Sequence, residues 1–278
     1  MSDPVERALW FIENRFEGEL SADDVARAAG VSRFHLSRLF ALVIGQSMTG
    51  YARGRRLSEA ARALAGGAPD ILEVALTAGY GSHEAFTRAF REHFGVTPES
   101  VRAQGSIDGL ELTEPLRMRT QTRSDLAAPR FEQAPALLIA GLGARYAGGG
   151  DPAIPLQWRR FTPHIGNVPG QVGAVTYGVV ANFDEDNSFD YIAGVEVKSF
   201  GDLPEGFTSI RLAARRYAVF THCGHVSSVP ATMAAIWRDW LPSSGHRFAD
   251  APYFERYDAR FNPRTGDGEV ELWLPLED

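Results

Sequence analysis

The chain has 278 residues, enough for two domains, and 44% of them are hydrophobic, which excludes a largely disordered protein. No apolar run has the length of a membrane span, and the polar, acidic N-terminus differs from a signal peptide. A single cysteine, Cys223, excludes an internal disulfide and is typical of a reducing compartment. We therefore expect a cytoplasmic protein without membrane association.

The net charge of −7 is unevenly distributed along the chain. Residues 32–62 contain six arginines against one acidic residue, Glu59. A basic stripe inside an acidic protein is typical of a polyanion-binding face. The alternative interpretation is a solvated helical face.

Residues 3–104 are predicted to be helical throughout. Helix-capping residues precede runs of apolar residues at helical spacing: Asp3, Ser21, Ser32, Ser47, Asp70, Ser82 and Thr97. Glycines follow most of these runs and predict where the helices end: Gly30, Gly66, Gly67, Gly79 and Gly95.

An internal repeat lies within this helical region. Val25-Ala26 and Ala29-Gly30 recur 49 residues later, and Ser32, Leu36, Arg38 and Phe40 have counterparts 50 residues later. Each copy reads as a helix, a glycine-containing turn and a second helix, which predicts a helix-turn-helix unit. The predicted linking helix from Ser47 to Ala65 would span about 28 Å. One chain could therefore read two successive major-groove segments of DNA.

Residues 3–104 resemble the AraC/XylS family of bacterial transcription regulators. The resemblance is carried by residues 20–30, 32–40, 51–64, 78–90 and 94–98. It implies base-edge contacts from both recognition helices: Arg33, Phe34, Ser37 and Arg38 in the first, and His83, Glu84, Thr87 and Arg88 in the second. Core packing is the alternative role for Phe34. Arg55 and Arg56 on the linking helix are candidate phosphate contacts.

The predicted domains are 1–105, a helix-turn-helix DNA-binding domain, 106–129, a polar connector, and 130–278, a domain of strands and helices. The third segment reads as β-α-β-β followed by a second β-α-β-β. We predict a multidomain protein, all-α followed by α+β, whose second domain has two pseudo-repeated, helix-covered sheets. A groove between such halves is a common ligand site.

Residues 130–276 resemble the GyrI-like effector-binding domain. The resemblance is carried by segments at residues 158–161, 177–179, 189–197, 217–224, 240–245, 252–257 and 271–275. It implies a central pocket that contains Glu255. Strand alternation places Tyr253, Glu255 and Tyr257 on one face. A carboxylate among aromatic rings suits an organic cation, so we predict a hydrophobic or cationic effector. A surface glutamate paired to Arg256 or Arg260 is the alternative.

Four further aromatic residues are candidate pocket walls or plain core: Trp158, Tyr177, Tyr191 and Trp240. The motif His222-Cys223-Gly224-His225 lacks a second cluster that would complete a metal site, so neither metal nor cofactor is predicted. No catalytic residue is assigned. The C-terminal domain could instead be a small-molecule hydrolase or a protein-binding module. Promoter DNA, an effector and RNA polymerase are the candidate partners, whereas the oligomeric state is not indicated.

Overall fold

The computed structural model describes residues 3–16, 18, 20–68, 70–116, 126–147, 153–184, 188–201 and 203–277. The described chain up to Gln104 is built of helices, residues 105–116 form a non-helical segment, and the chain from residue 130 is built on a β-sheet. Part of the predicted connector, residues 117–125, lies outside the described residues.

The helical unit contains helices α1 to α7: Pro4–Glu13, Ala22–Ala29, Arg33–Ile44, Met48–Ala65, Ile71–Thr77, His83–Phe94 and Pro98–Gln104. The side chains of predicted capping residues accept hydrogen bonds from the first turn of their helices. Ser21, for example, accepts one from the backbone N–H of Asp24, and Ser47 accepts one from that of Gly50. The predicted helix starts are therefore confirmed.

Each predicted helix-turn-helix unit is present, as α2–α3 and as α5–α6. The turns pass through Gly30 and Gly79, whose φ angles of 71° and 79° lie in the left-handed region. Between the two units runs α4, whose 18 residues span about 27 Å. Leu57 and Leu64 of α4 pack with residues of α5, α6 and α7 in one buried cluster.

The sheet unit alternates strands with short helices. Its strands β1 to β9 are Arg130–Ala134, Leu137–Tyr146, Gln171–Ala181, Phe189–Val197, Thr208–Leu212, Arg215–His225, Tyr253–Tyr257, Phe261–Asn262 and Asp267–Pro275. Helix α8, Ile154–Phe161, follows β2. The helical segment after β6 comprises α9, Val229–Ala235, a π-helical segment, Ile236–Trp240, and α10, Leu241–Ser244.

The described strands form one antiparallel sheet in the order β1-β6-β9-β7-β3-β4-β2-β5, with β8 beside β9. The predicted β-α-β-β repeat is present, but the prediction of two separate sheets is wrong. Pairing of β3 with β7 joins the halves into one surface. The edge strands are exchanged, because β1 pairs with β6 of the second half and β5 pairs with β2 of the first.

The helical segment that follows β6 is not uniform. It starts as a 3₁₀ turn, continues as α9, widens into the π-helical segment and ends as α10. Pro242 has no backbone N–H to donate to the carbonyl of Arg238, which fits the loss of regular α-helical bonding just before it.

Alternate residues of the central strands enter two different cores. Val180, Tyr191 and Ala193 belong to the core that includes Phe161 of α8. Tyr177 and Val179, which alternate with Val180 along β3, belong to a core on the opposite face of the sheet. This alternation decides which predicted site residues share a face.

Candidate functional sites

The second recognition helix, α6, presents its predicted base-reading residues on one surface. His83, Glu84, Thr87 and Arg88 line the same depression, together with Arg91. His83 Nε2 lies 3.0 Å from Glu99 Oε1 on α7, and both side chains are partly exposed. Arg88 is exposed, which suits a bidentate contact with guanine.

The first recognition helix, α3, carries Arg33, Phe34, Ser37 and Arg38 on adjacent turns. Arg33 is exposed, and its Nη1 lies 3.7 Å from Asp23 Oδ2. Phe34 and Ser37 are half-buried, and Arg38 is buried. Arg33 is therefore the arginine of this set that is most open to DNA.

Arg55 and Arg56, the predicted phosphate contacts, have different surroundings. The Arg55 side chain is 5% exposed and donates to Glu13 Oε1 at 3.0 Å and to Glu59 Oε1 at 3.0 Å. Its guanidinium therefore bonds to carboxylates inside the helical unit. This placement does not support a phosphate contact. Arg56 is half-buried beside Gly79 and keeps its predicted role.

The carboxylate of Glu255 lies at the centre of a hydrogen-bonded aromatic group. The hydroxyls of Tyr191 and Tyr257 donate to Glu255 Oε2 at 2.8 and 2.7 Å. Trp158 Nε1 donates to the Tyr191 hydroxyl at 2.9 Å, and the Trp158 ring meets that of Tyr257 edge-on at 5.2 Å. Among the described residues, Glu255 Oε1 has no hydrogen-bond donor.

Gly178 provides the space for this arrangement. It lies opposite Glu255 in the β3–β7 pair. A Cβ atom at Gly178 would be 2.6 Å from Glu255 Oε2 and would overlap the Tyr191 hydroxyl. Sequence reasoning missed this residue, because only strand register shows that it lies beneath the carboxylate.

Burial governs protonation at this site. It raises the pKa of the Glu255 carboxyl more than the hydrogen bonds from Tyr257 and Tyr191 lower it. Burial also raises the pKa of Tyr191 and Tyr257 well above the ordinary phenol value, so both hydroxyls stay neutral donors. The site therefore favours ionised Glu255 only when something else supplies positive charge.

The alternative pairing of Glu255 with neighbouring arginines does not occur. Arg256 Nη1 bonds instead to Asp258 at 2.9 Å and to Glu271 at 3.1 Å. Arg260 bonds to Asp258, Glu269 and Glu271.

Two predicted pocket walls lie elsewhere. Tyr177 is on the opposite face of β3, where its ring packs 5.9 Å from that of Phe254. Trp240 packs against Phe220 and Phe248. Tyr253 shares the Glu255 face and stacks on Phe183 at 6.2 Å. The wall residues that the structure brings to Glu255 are therefore Trp158 and Tyr191.

The histidines near Cys223 have partners of their own. His222 Nδ1 lies 2.8 Å from Thr232 Oγ1, and His225 Nδ1 lies 2.7 Å from Ser227 Oγ. Across the described ranges, no group of three or more His, Cys, Asp or Glu side chains could hold a metal ion.

Two sequence families match the chain in this order. The family described as a helix-turn-helix domain matches residues 25–104, and the GyrI-like small molecule binding domain matches residues 127–277. The chain therefore belongs to the GyrI-like family, with an AraC-type helix-turn-helix domain before it.

Two relatives match this chain over most of the length of both proteins. The transcriptional regulator Rob of Salmonella typhimurium is 26% identical over 95% of this chain and 93% of its own length. The right origin-binding protein of Escherichia coli K12 is 27% identical over 96% of this chain and 94% of its own. A solved structure of SAV2435 bound to tetraphenylphosphonium is 20% identical, has a TM-score of 0.46, and covers 54% of this chain and 94% of that one.

The chain is thus a DNA-binding transcription regulator with a C-terminal effector-binding domain. In the part of the chain that the structure describes, no helix is both long and apolar enough to cross a bilayer.

Proposed function

We propose that this cytoplasmic regulator binds promoter DNA through α3 and α6 and senses a hydrophobic organic cation at Glu255. The domains we assign are 1–105 for DNA binding, 106–129 as connector and 130–278 for the effector. RNA polymerase is the proposed third partner, because regulation requires that DNA binding affect transcription.

The observation that carries the cation assignment is the imbalance of charge at Glu255. Its hydrogen-bond donors among the described residues are neutral hydroxyls, and burial raises its pKa. A cation beside Oε1 would stabilise the ionised carboxylate, and the Trp158 and Tyr257 rings would add cation–π attraction. Neutral molecules of the same shape lack both contributions.

Calorimetry on the full chain tests this assignment with methyltriphenylphosphonium and triphenylphosphine oxide, a neutral molecule of similar shape. We expect the cation to bind at least tenfold more tightly than the oxide. Glu255→Gln should remove that preference, because the amide carries no charge. Equal affinity for the two probes, or an unchanged preference in Glu255→Gln, would contradict the cation assignment.

For DNA, we expect selective binding to a duplex of about two helical turns that weakens steeply with salt. Arg88→Ala should cost about 1–3 kcal/mol and relax selectivity at one base position, because an exposed guanidinium can bond bidentately to a guanine. Arg264→Ala, which removes an exposed arginine from the sheet unit, is the charge-matched control. Footprinting and titration with both variants give the comparison.

A hydrolase is the second candidate, favoured by the tyrosine hydroxyls that bond to Glu255. A carboxylate with a raised pKa is suited to general-base chemistry on a water molecule, and a neutral phenol could donate to a developing oxyanion. Under this alternative, Glu255→Gln would abolish turnover of a small electrophilic substrate while leaving its binding intact. The regulator proposal instead expects no turnover by the unsubstituted chain.

A further inference from the structure

The segment that follows α7, residues 106–116, packs along the helical unit. In its first half, Ile107, Leu110 and Leu112 contact the buried cluster that α4 shares with α5, α6 and α7. This half of the segment therefore belongs to the second helix-turn-helix unit.

The second half of the segment bonds to side chains of α4. The backbone N–H of Thr113 donates to Ser58 Oγ at 2.8 Å, and its carbonyl accepts from Arg55 Nη1 at 3.1 Å. The N–H of Leu116 donates to the Tyr51 hydroxyl at 3.0 Å. Because Ser58 and Tyr51 are fully buried, these bonds are protected from water.

The same α4 side chains reach the first helix-turn-helix unit. The Tyr51 hydroxyl donates to Glu13 Oε1 at 2.6 Å, and Arg55 Nε donates to the same oxygen at 3.0 Å. Glu13 is the last residue of α1, which packs against α2. A continuous set of bonds therefore runs from residues 113–116 through α4 to the first unit.

Gly54 is the position on α4 that admits the segment. A Cβ atom there would overlap Thr113 Oγ1 and lie 3.1 Å from Thr113 Cβ. Alanine favours a helix interior more than glycine does, so glycine here lowers the helix propensity of α4 while it leaves room for the segment.

We propose that residues 106–116 staple the two helix-turn-helix units together across α4. The staple fixes the orientation of α1 and α2 relative to α5, α6 and α7, and simultaneous reading of two DNA half-sites depends on that orientation. The chain leaves this staple toward the effector-binding domain, so the staple is the covalent point at which that domain could alter the orientation of the units.

Gly54→Ala in the full chain tests the staple, because the new methyl group displaces Thr113 while favouring the helix. The probe is a duplex of about two turns selected from random DNA by the unsubstituted chain, beside the same duplex with one half scrambled. We expect affinity for the intact duplex to fall at least tenfold and affinity for the half-scrambled one to change less than twofold. Hydrogen exchange of the Thr113 and Leu116 amides should accelerate at least tenfold.

Gly50→Ala, the same change one turn earlier, is the matched control. Its Cβ meets Ser47 Oγ and no atom of the staple, so the Thr113 and Leu116 amides should keep their exchange rates. Tyr51→Phe removes a hydroxyl that accepts from Leu116 and donates to Glu13 while keeping the ring, and should reproduce the effect of Gly54→Ala. This second variant decides the matter if Gly54→Ala fails to fold.

Equal weakening on the two duplexes would overturn the staple, since it would show general damage to DNA binding. Unchanged exchange of the Thr113 and Leu116 amides in Gly54→Ala would overturn it as well. If the unsubstituted chain selects no duplex, the DNA-binding assignments fail separately. Hydrogen exchange by itself then tests the staple. The staple requires that α1–α3 and α5–α7 open together in the unsubstituted chain and independently in Gly54→Ala.

Discussion

Two glutamates on adjacent strands of the sheet show opposite solutions to burying a carboxylate. Glu255 on β7 bonds to tyrosine hydroxyls, and its pKa is raised. Glu271 on β9 pairs with Arg256 in strand register and is 5% exposed. Arg130, Arg256 and Arg260 all bond to it, and Trp273 Nε1 donates to it at 3.0 Å.

The balance of forces at Glu271 differs accordingly. Burial alone would raise its pKa, but hydrogen bonds from Arg260 and Trp273 and the charges of Arg130 and Arg256 lower it overall. At Glu271 the chain itself balances the negative charge, whereas at Glu255 it does not. A buried carboxylate points to a ligand when the protein leaves its charge unbalanced.

Replacing Glu271 should give the largest effect. Glu271→Gln leaves the guanidinium groups of Arg130, Arg256 and Arg260 facing a neutral amide, and we expect the free energy of unfolding to fall by about 2–3 kcal/mol at neutral pH. In the unsubstituted chain, a lowered folded-state pKa means that this stabilisation is present above the ordinary glutamate pKa. It is lost as pH falls through the lowered value. Urea titrations at several pH values measure both effects; an unchanged midpoint would show that Glu271 is dispensable.

Filling the space beneath Glu255 should give the second-largest effect. Gly178→Ala forces the Tyr191 hydroxyl and Glu255 apart, because the added methyl group overlaps the hydroxyl. We expect at least tenfold weaker binding of methyltriphenylphosphonium and about 1–2 kcal/mol lower stability. Gly173→Ala is not a suitable control, since Gly173 has a φ of 65°. Gly201→Ala is suitable, because a Cβ there would meet only Ser199 Oγ, at an ordinary contact distance of 4.0 Å. Equal effects of the two changes would argue against a special role for Gly178.

Lowering the pH should weaken binding of the cation at Glu255. Binding of the cation requires ionised Glu255, so its affinity should decline by about tenfold per pH unit below the Glu255 pKa, which lies above the ordinary value of 4.5. In Glu255→Gln the affinity should be low and insensitive to pH across the same range. Calorimetry at a series of pH values measures this; a decline of equal slope in the Gln variant would assign it to another group.

The smallest expected effect is on the stability of Glu255→Gln. A raised folded-state pKa means that Glu255 costs stability as pH rises from the ordinary glutamate value through the raised one. Removing the ionisable group should therefore raise the free energy of unfolding by about 0.5–1 kcal/mol at neutral pH. A loss of stability as large as that in Glu271→Gln would abolish the distinction between the two sites.

The helical unit could be predicted from sequence because its signals are local. Capping residues, apolar spacing and helix-ending glycines all act within a few positions, as at Ser21 and Gly30. The face shared by Glu255 and Tyr257 also followed from alternation within one strand. Arg55 shows the limit, because its residue type suggested phosphate, whereas Glu13, 42 residues earlier, holds it in the interior.

The features that could not be predicted from the sequence depend on pairing between strands that are distant along the chain. Strands β1 and β5 have five residues each, of which three are charged or polar, so neither has a strong signal of its own. The setting of Glu271 requires β1, β7 and β9 in register, and the role of Gly178 requires β3 beside β7. Residue type alone favours Tyr177 as a pocket wall, whereas alternation along β3 directs its side chain to the other face.

The exchanged edge strands also impose an order on protein synthesis. Residue 130 of β1 pairs with residue 219 of β6, and residue 137 of β2 pairs with residue 212 of β5. A ribosome therefore completes the helical unit, whose contacts are largely local, long before either exchange can form. During that interval the nascent chain already has its helix-turn-helix units but lacks β7 and β9, so the site at Glu255 forms only after most of the chain has been made.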